Sequence, residues 1–407
     1  MTIEVLAGKR RPAYPAPGPA GWQAHGELIG LERYPDLGVD WTALEAQARG
    51  APFTSWAWVS AWLRNLPDGV APLVFRARDS GGLLALALLV AAPEHGVGRL
   101  FGRRSLYLQE TADPVLDEVT IEYAGLLARE GCARPAYAAL FQVLAGLRRD
   151  WRRLCISTSA DAGAVAAALP PALRAASTLA RPCHYVDLAR VRAEPGGYKA
   201  VLGRKVRGSM RQTVRDYARF GPLQAEVAAD VPTALAWFDA LQDLHTRYWH
   251  SRGQPGCFAS PFFGRFHRDL IAHGTGAGFT RLTRVCAGDE VVGYLYNLGW
   301  RDNIYFYNSG LRYGLLEKRD RPGIATLYAA IGQAAAEGRA EFDFLAGDQE
   351  YKRRLATDAR TLHSIEVRRG GMRPMAERLL AALARRGTPG LPLARALAMD
   401  AAAGPPP

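Results

Sequence analysis

The stretch from 278 to 311 constrains this chain most. Three segments, 278–287, 290–300 and 303–311, alternate apolar and polar residues with period two, and Gly288-Asp289 and Arg301-Asp302 punctuate them. That pattern predicts three consecutive antiparallel strands. Ahead of them the chain predicts a strand at 184–188, a long basic helix at 197–220, a strand at 223–228 and helices at 232–250 and 261–273. Behind them come a helix at 323–337, a strand at 340–345, a short helix at 349–355 and a strand at 362–368. The meander is thus embedded in α/β structure.

The preceding part of the chain reads as a similar half. It predicts helices at 41–49 and from Thr54 or Ser55 through Leu63, then a hairpin of strands 71–78 and 83–91 around Asp79-Ser80-Gly81-Gly82. Strands 105–109 and 120–125, helix 134–147, strand 153–157 and helix 162–169 follow, and Pro170-Pro171 ends the half. The expected organisation is an N-terminal arm at 1–26, halves at 27–180 and 181–370, and a helical or unordered tail at 371–407. Both ends are rich in Pro and Ala and are expected to be poorly ordered. No 30–45-residue repeat is visible.

Composition narrows the class. With 407 residues, 49% hydrophobic and 22% charged, the chain is expected to be a soluble folded protein with its own core. The run at 83–93 is too short for a bilayer, which needs about 20 apolar residues, and reads as a buried strand. A Pro/Gly-rich stretch, Pro12 to Gly21, rather than an apolar one follows Lys9-Arg10-Arg11, so no signal peptide is expected. Five scattered cysteines without a CxxC suit reduced thiols in a cytoplasmic compartment. Lys and Arg number 51 against 39 Asp and Glu, a formal charge of +12 that favours anionic partners. HExxH, GxSxG, GxxxxGK[ST] and GxGxxG are all missing, so zinc-protease, serine-hydrolase and nucleotide-loop chemistries lack their residues. No metal site is expected.

The element order resembles the GCN5-related N-acetyltransferase (GNAT) fold. From Pro182 onward the chain is similar to the CelD-type acetyltransferase domain, which is related to the FemAB aminoacyl transferases that build peptidoglycan bridges. The phrases that carry this are RKVRGSMRQTVRDYARFG from Arg204, VVGYLYNLGWRDNIYFYNSGL from Val291, RPGIATLYAAI from Arg321 and FDFLAGDQEYKRRLA from Phe342. PFTSWAWVSAWL from Pro52 resembles the family's entry segment, so the likeness spans about 50–370. It implies an α/β (α+β) fold of tandem GNAT-like mixed sheets flanked by helices. The second half would then hold the chemistry, and a degenerate first half would shape the substrate groove.

The activity implied is N-acyl transfer from acetyl-CoA or a longer acyl-CoA to an amine of a sugar, amino acid or cell-envelope precursor. Alternatives are FemAB-like transfer from aminoacyl-tRNA and a non-catalytic tandem domain that binds an anionic ligand. In the turn before helix 323–337, Gly323, Ile324 and Ala325 would offer amides to a pyrophosphate, with charge from Arg319 and Arg321. The corresponding turn in acetyltransferases reads Gln or Arg, two residues, Gly, one residue, Gly or Ala; Gly323 and Ala325 fit, whereas Asp320 departs.

Tyr351 stands where many enzymes of this fold keep a Tyr acid, with a packed helix tyrosine beside Leu355 as the alternative, and Lys352 beside it suits a carboxylate or phosphate, against a solvated helix face. Asp343, between two phenylalanines on a strand, is either a base or a buried partner of Arg312 or Arg353. Asp348 would cap the short helix. Val292, Tyr294, Tyr296, Leu298 and Trp300 are expected on one strand face, and Tyr305 and Tyr307 on one face of the next. Tyr294, Tyr296, Tyr307, Asn297 and Asn308 are therefore candidate acceptor contacts, with aromatic packing as the alternative. Arg211 lies on the basic helix with Arg204, Arg215 and Arg219 and is a candidate phosphate contact, against a solvated helix face. That helix offers only Tyr217 and Phe220 for stacking, so RNA ranks below a small acceptor.

Overall fold

The computed structural model describes residues 24–93, 104–147 and 151–369. In chain order the elements are β1 (His25–Gly30), α1 (Leu37–Glu45), α2 (Trp56–Asn65), β2 (Leu73–Asp79), β3 (Gly82–Pro93), β4 (Arg104–Leu108), β5 (Leu127–Ala128), α3 (Ala133–Gly146), β6 (Trp151–Ser159) and α4 (Ala162–Ala168). The second half continues with β7 (Leu173–Asp187), α5 (Leu188–Ala193), α6 (Tyr198–Val201), α7 (Arg204–Tyr217), β8 (Leu223–Val227), α8 (Val231–Ser251) and α9 (Pro261–Gly274). It closes with β9 (Thr280–Ala287), β10 (Glu290–Trp300), β11 (Asn303–Leu311), α10 (Pro322–Ala336), β12 (Glu341–Ala346), α11 (Glu350–Leu355) and β13 (Asp358–Arg369).

These strands form one mixed sheet of 13 strands in the order β1-β2-β3-β4-β6-β13-β7-β12-β11-β10-β9-β8, with β5 on β3. The two halves are joined through its middle, because β13, the last strand, lies between β6 of the first half and β7 of the second. The predicted meander is β9-β10-β11, antiparallel throughout.

Helix starts follow local chemistry. Ser55 accepts from the Trp58 amide, Asp230 from Thr233 and Ser260 from Phe263, each satisfying a first-turn donor, and α8 and α9 also carry proline in their first turn. The α2–α9 contact cements the halves: Trp58, fully buried, meets Phe266 edge-on at 4.8 Å and Tyr307 at 5.8 Å. On the opposite sheet face a second core gathers Leu295, Ile304, Phe342 and Phe344 beneath α10 and α11.

Several expectations need correction. The helix expected at 197–220 breaks into α6 and α7 at Leu202-Gly203, where Leu202 turns into the core and Gly203 is extended. The strand expected at 120–125 is a loop, with Thr120 and Tyr123 at φ +36° and +52°, outside strand geometry. The segment after Pro171 is the first part of β7, whose exposed alternate residues concealed it, and β7 runs through 180–181 without a break. Val292 does not share the face of Tyr294: a bulge between Val291 and Gly293 turns it toward Tyr217 and Ala325. Asp348 does not cap α11, whose N-cap is Gln349. The arm and tail lie outside the described residues except at 24–26, where His25 and Gly26 already pair with β2. Among the described residues no helix is long and apolar enough to cross a membrane.

Candidate functional site

β11 and β12 are parallel neighbours over three positions only, Asn303 to Tyr305 against Glu341 to Asp343. Beyond Tyr305 and Asp343 they part, β11 following β10 and β12 following β7. The departure is built into β12, where Leu345 takes φ +61° and the register with β7 shifts between Asp343 and Ala346. A wedge opens in the sheet at this point. Its β11 side is buried at Ile304 and Tyr305 and becomes partly accessible from 306 to 309.

On one face the wedge is bordered by Phe306, Phe344, Tyr351 and Ile324, all packed against the α10 core. The phenol of Tyr351 is held strongly protonated by burial and by the charge of Glu122. α10 begins nearby with Pro322 in its first turn and no side chain capping it. A Cβ on Gly323 would meet one atom, Leu311 Cδ1, at 3.3 Å. Its N-cap residue Arg321 donates to Ser209 Oγ at 2.6 Å and so ties α7 to the start of α10. Asp320 accepts from the Gly314 amide at 2.5 Å and from the Tyr217 hydroxyl. The residue that departs from the acetyltransferase pattern therefore anchors the loop before α10. Arg319 is exposed at φ +58°.

On the other face a loop from the first half crosses the opening. Tyr123 packs edge-on to Tyr305 at 5.8 Å and donates to Asp343 Oδ2 at 2.5 Å. Two further contacts span the gap: the Val119 carbonyl accepts from the Tyr307 hydroxyl on β11, and Glu122 Oε2 accepts from the Ala346 amide at the end of β12 at 2.5 Å. Behind Val119 runs a buried polar chain. With Tyr307 donating to Val119, its oxygen accepts from His267 Nε2–H at 3.2 Å, leaving Nδ1 to accept from Tyr296 at 3.2 Å. Burial holds His267 neutral, well below the usual imidazole range.

Two carboxylates sit side by side here. Asp343, fully buried, accepts from Tyr123, from Cys183 Sγ at 3.1 Å and from the Leu345 amide at 2.7 Å. Neither Arg312 nor Arg353 is its partner, since those pair with Glu290 and Asp348. Glu122, 8% exposed, is pushed up to about 7 by burial, against the opposing pull of Lys352 and the Ala346 amide. Lys352 is itself buried and donates to the Leu345 and Ala346 carbonyls at 3.2 and 2.8 Å. Its ammonium is engaged with β12.

The structure thus brings Tyr351, Lys352, Asp343, Tyr307 and Asn308 to the wedge, with Gly323, Ile324, Ala325, Arg319 and Arg321 at the start of α10. Asn308 donates to Cys257 Sγ at 3.3 Å and accepts from the Ser309 amide. Other candidates lie elsewhere. Tyr296 is a core residue bonded to His267, and Tyr294 packs on Trp237 and lines a 200 Å³ depression with Asp243, Arg247 and Arg312. Asn297 is buried under α10, bonded to Thr283. Arg211 is exposed on α7. Glu122, Tyr123 and the Val119 carbonyl border the wedge and were missed by sequence reasoning, because that segment looks like a strand. Among the described residues no group of three or more His, Cys, Asp or Glu is placed to hold a metal ion.

The family model of the Acetyltransferase (GNAT) domain matches residues 204–353, the span from α7 into α11. No curated protein matches the sequence. FemX superposes at a TM-score of 0.53 with 10% identity, over 84% of this chain and 97% of its own. L-PGS from Bacillus licheniformis has a TM-score of 0.46 and 14% identity, over 86% and 96%. A tandem GNAT protein from the clavulanic acid biosynthesis pathway has 0.43 and 13%, over 85% and 99%. At these identities the likeness is one of fold, and of these three only FemX exceeds a TM-score of 0.5.

Proposed function

This chain has a GNAT-related, FemAB-like fold, and from that premise we propose that it is an acyl-CoA-dependent N-acyltransferase acting on an amine of a sugar, amino acid or cell-envelope precursor in the cytoplasm. The observation that carries the reading is the wedge: a parallel strand pair of three positions that opens beside the uncapped start of a 15-residue helix. The Gly323 amide, which no side chain caps, and the helix dipole favour a pyrophosphate, and Pro322 removes one donor that would otherwise need a partner. The residues present fit such a group. Gly323 would offer its amide, with Arg319 and Arg321 adding charge, whereas the Ile324 and Ala325 amides already donate to the Arg321 carbonyl at 3.1 and 3.2 Å and would act only through the helix dipole; Phe306 gives an apolar border to the arm and acyl chain.

A bound acyl thioester supplies a carbonyl carbon open to attack by an amine. The protein's part is to position and to move protons. Tyr351, kept protonated by its burial, is the acid for the departing sulfur. Asp343 holds Tyr123 and the bend of β12, and Lys352 fixes α11 against the same strand end. Tyr307 and Asn308 border the acceptor side.

One observation favours a second reading, aminoacyl transfer from charged tRNA: Arg204, Lys205 and Arg211 are exposed on α7, which Arg321 links to α10. A thiol-release assay with acetyl-CoA and a long-chain acyl-CoA over a panel of amino sugars and amino acids separates the readings. The first predicts turnover that falls about 10²–10⁴-fold in Tyr351→Phe. Turnover with aminoacyl-tRNA alone would install the second, and ligand binding without turnover would leave a binding domain.

A further inference from the structure

From the loop that crosses the wedge, we infer that Glu122, a residue of the first half, is the base that takes the proton from the acceptor amine, so that the site is assembled from both halves. The inference rests on the acyltransferase reading above. Its ground is geometric. Of the two carboxylates at the wedge, Asp343 has its oxygens occupied by Tyr123, Cys183 and the Leu345 amide, which makes it a positioning residue. Glu122 reaches from the opposite side of the opening to the Ala346 amide, where β12 ends. It is close enough to Tyr351 for its charge to act on that phenol, which puts the base and the acid at one strand end.

The surroundings suit the task. Lys352 on α11, Arg181 on β7 and the Ala346 amide favour the carboxylate, while Asp343 and burial favour the acid form. The Cys183 thiol on β7 and the Tyr307 phenol on β11 also feel the charge, and burial keeps both protonated. A carboxyl balanced at about 7 is present in both forms at neutral pH, where a base must accept a proton and then release it. The balance of the step closes without another reagent. Glu122 takes a proton from the attacking nitrogen as the C–N bond forms to the thioester carbon. Tyr351 gives its proton to sulfur as the C–S bond breaks. Glu122 then returns a proton to the phenolate, and both residues end as they began.

Glu122→Gln keeps an oxygen for the Ala346 amide and is the variant of choice. The full chain is assayed for amine-dependent thiol release across about pH 5.5 to 9, with donor affinity measured by calorimetry. We expect kcat to fall about 10²–10³-fold with donor Kd unchanged, and the Glu122 component of the acidic limb of kcat/KM, near pH 7, to vanish, leaving only the rise set by the acceptor amine. Glu122→Asp should recover part of the loss. The variant should also regain rate as rising pH supplies the acceptor as free amine. If wild type turns over while Glu122→Gln keeps both full kcat and that component of the limb, the base assignment is wrong and the acyltransferase reading stands. Should wild type neither bind nor turn over any acyl-CoA, both fall together.

Discussion

The sheet contains two parallel strand pairs, one in each half, and they differ at their open ends. In the first half β4 runs beside β6 from Arg104 to Tyr107, and just beyond them Ser157 Oγ donates to Glu110 Oε2 at 2.5 Å, tying one strand end to the other. Arg153 on β6 adds bonds to Ser105 and Tyr107 on β4, and to Glu366 on the neighbouring β13. In the second half β11 and β12 part after three positions, and what bridges them is the loop from the first half, bonded to Tyr307 on one side and Ala346 on the other. One pair is closed by its own side chains. The other is bridged by the loop of the first half.

The largest expected effect breaks the contact that lets one half reach the other. Trp58→Ala removes a fully buried indole between Phe53, Phe266 and Tyr307, and should cost about 3–5 kcal/mol in a denaturant titration.

The next effect compares the two carboxyls. Burial pushes both Glu110 and Glu122 up to about 7, from 4.5. A carboxyl raised on folding binds more protons in the folded state, so its contribution to stability falls as pH rises from 4.5 through 7. Glu110→Gln and Glu122→Gln should therefore each be more stable than wild type at pH 8, by on the order of 3 kcal/mol at most, and the gain should shrink toward pH 5. Urea midpoints at the two pH values measure it. Turnover sharpens the contrast: Glu110→Gln should leave it intact, whereas Glu122→Gln should not.

A smaller effect concerns the anchor of the crossing loop. Tyr307→Phe leaves the Val119 carbonyl and His267 Nε2 without a partner, which should cost about 1–3 kcal/mol and speed amide hydrogen exchange at 117–123. The smallest is Asp320→Ala. Losing the bonds from Gly314 and Tyr217 should cost about 1 kcal/mol and weaken donor binding severalfold, as calorimetry would show.

Much of the second half was legible, for a physical reason. The meander and β12 bury one or both faces, so their period-two pattern is written in large apolar residues, and α10 announces itself with Pro322-Gly323. What escaped reading lacked such a signal. The first part of β7 is an Ala/Ser/Thr stretch whose partner, β13, lies far along the chain. The bulge that turns Val292 over is a register event that alternation cannot show. Most consequential was 117–123, where β-prone Val119, Thr120, Ile121 and Tyr123 suggest a strand. Positive φ values at Thr120 and Tyr123 instead send Glu122 and Tyr123 into the other half. Tertiary contact overrode local preference there.

The central claim, that the wedge beside α10 receives an acyl-CoA, is tested most directly by isothermal titration of the full chain with acetyl-CoA and a long-chain acyl-CoA. The account predicts saturable one-site binding that Gly323→Trp abolishes while leaving the unfolding midpoint nearly unchanged. Absence of binding to either donor, or binding that the tryptophan leaves untouched, would contradict it.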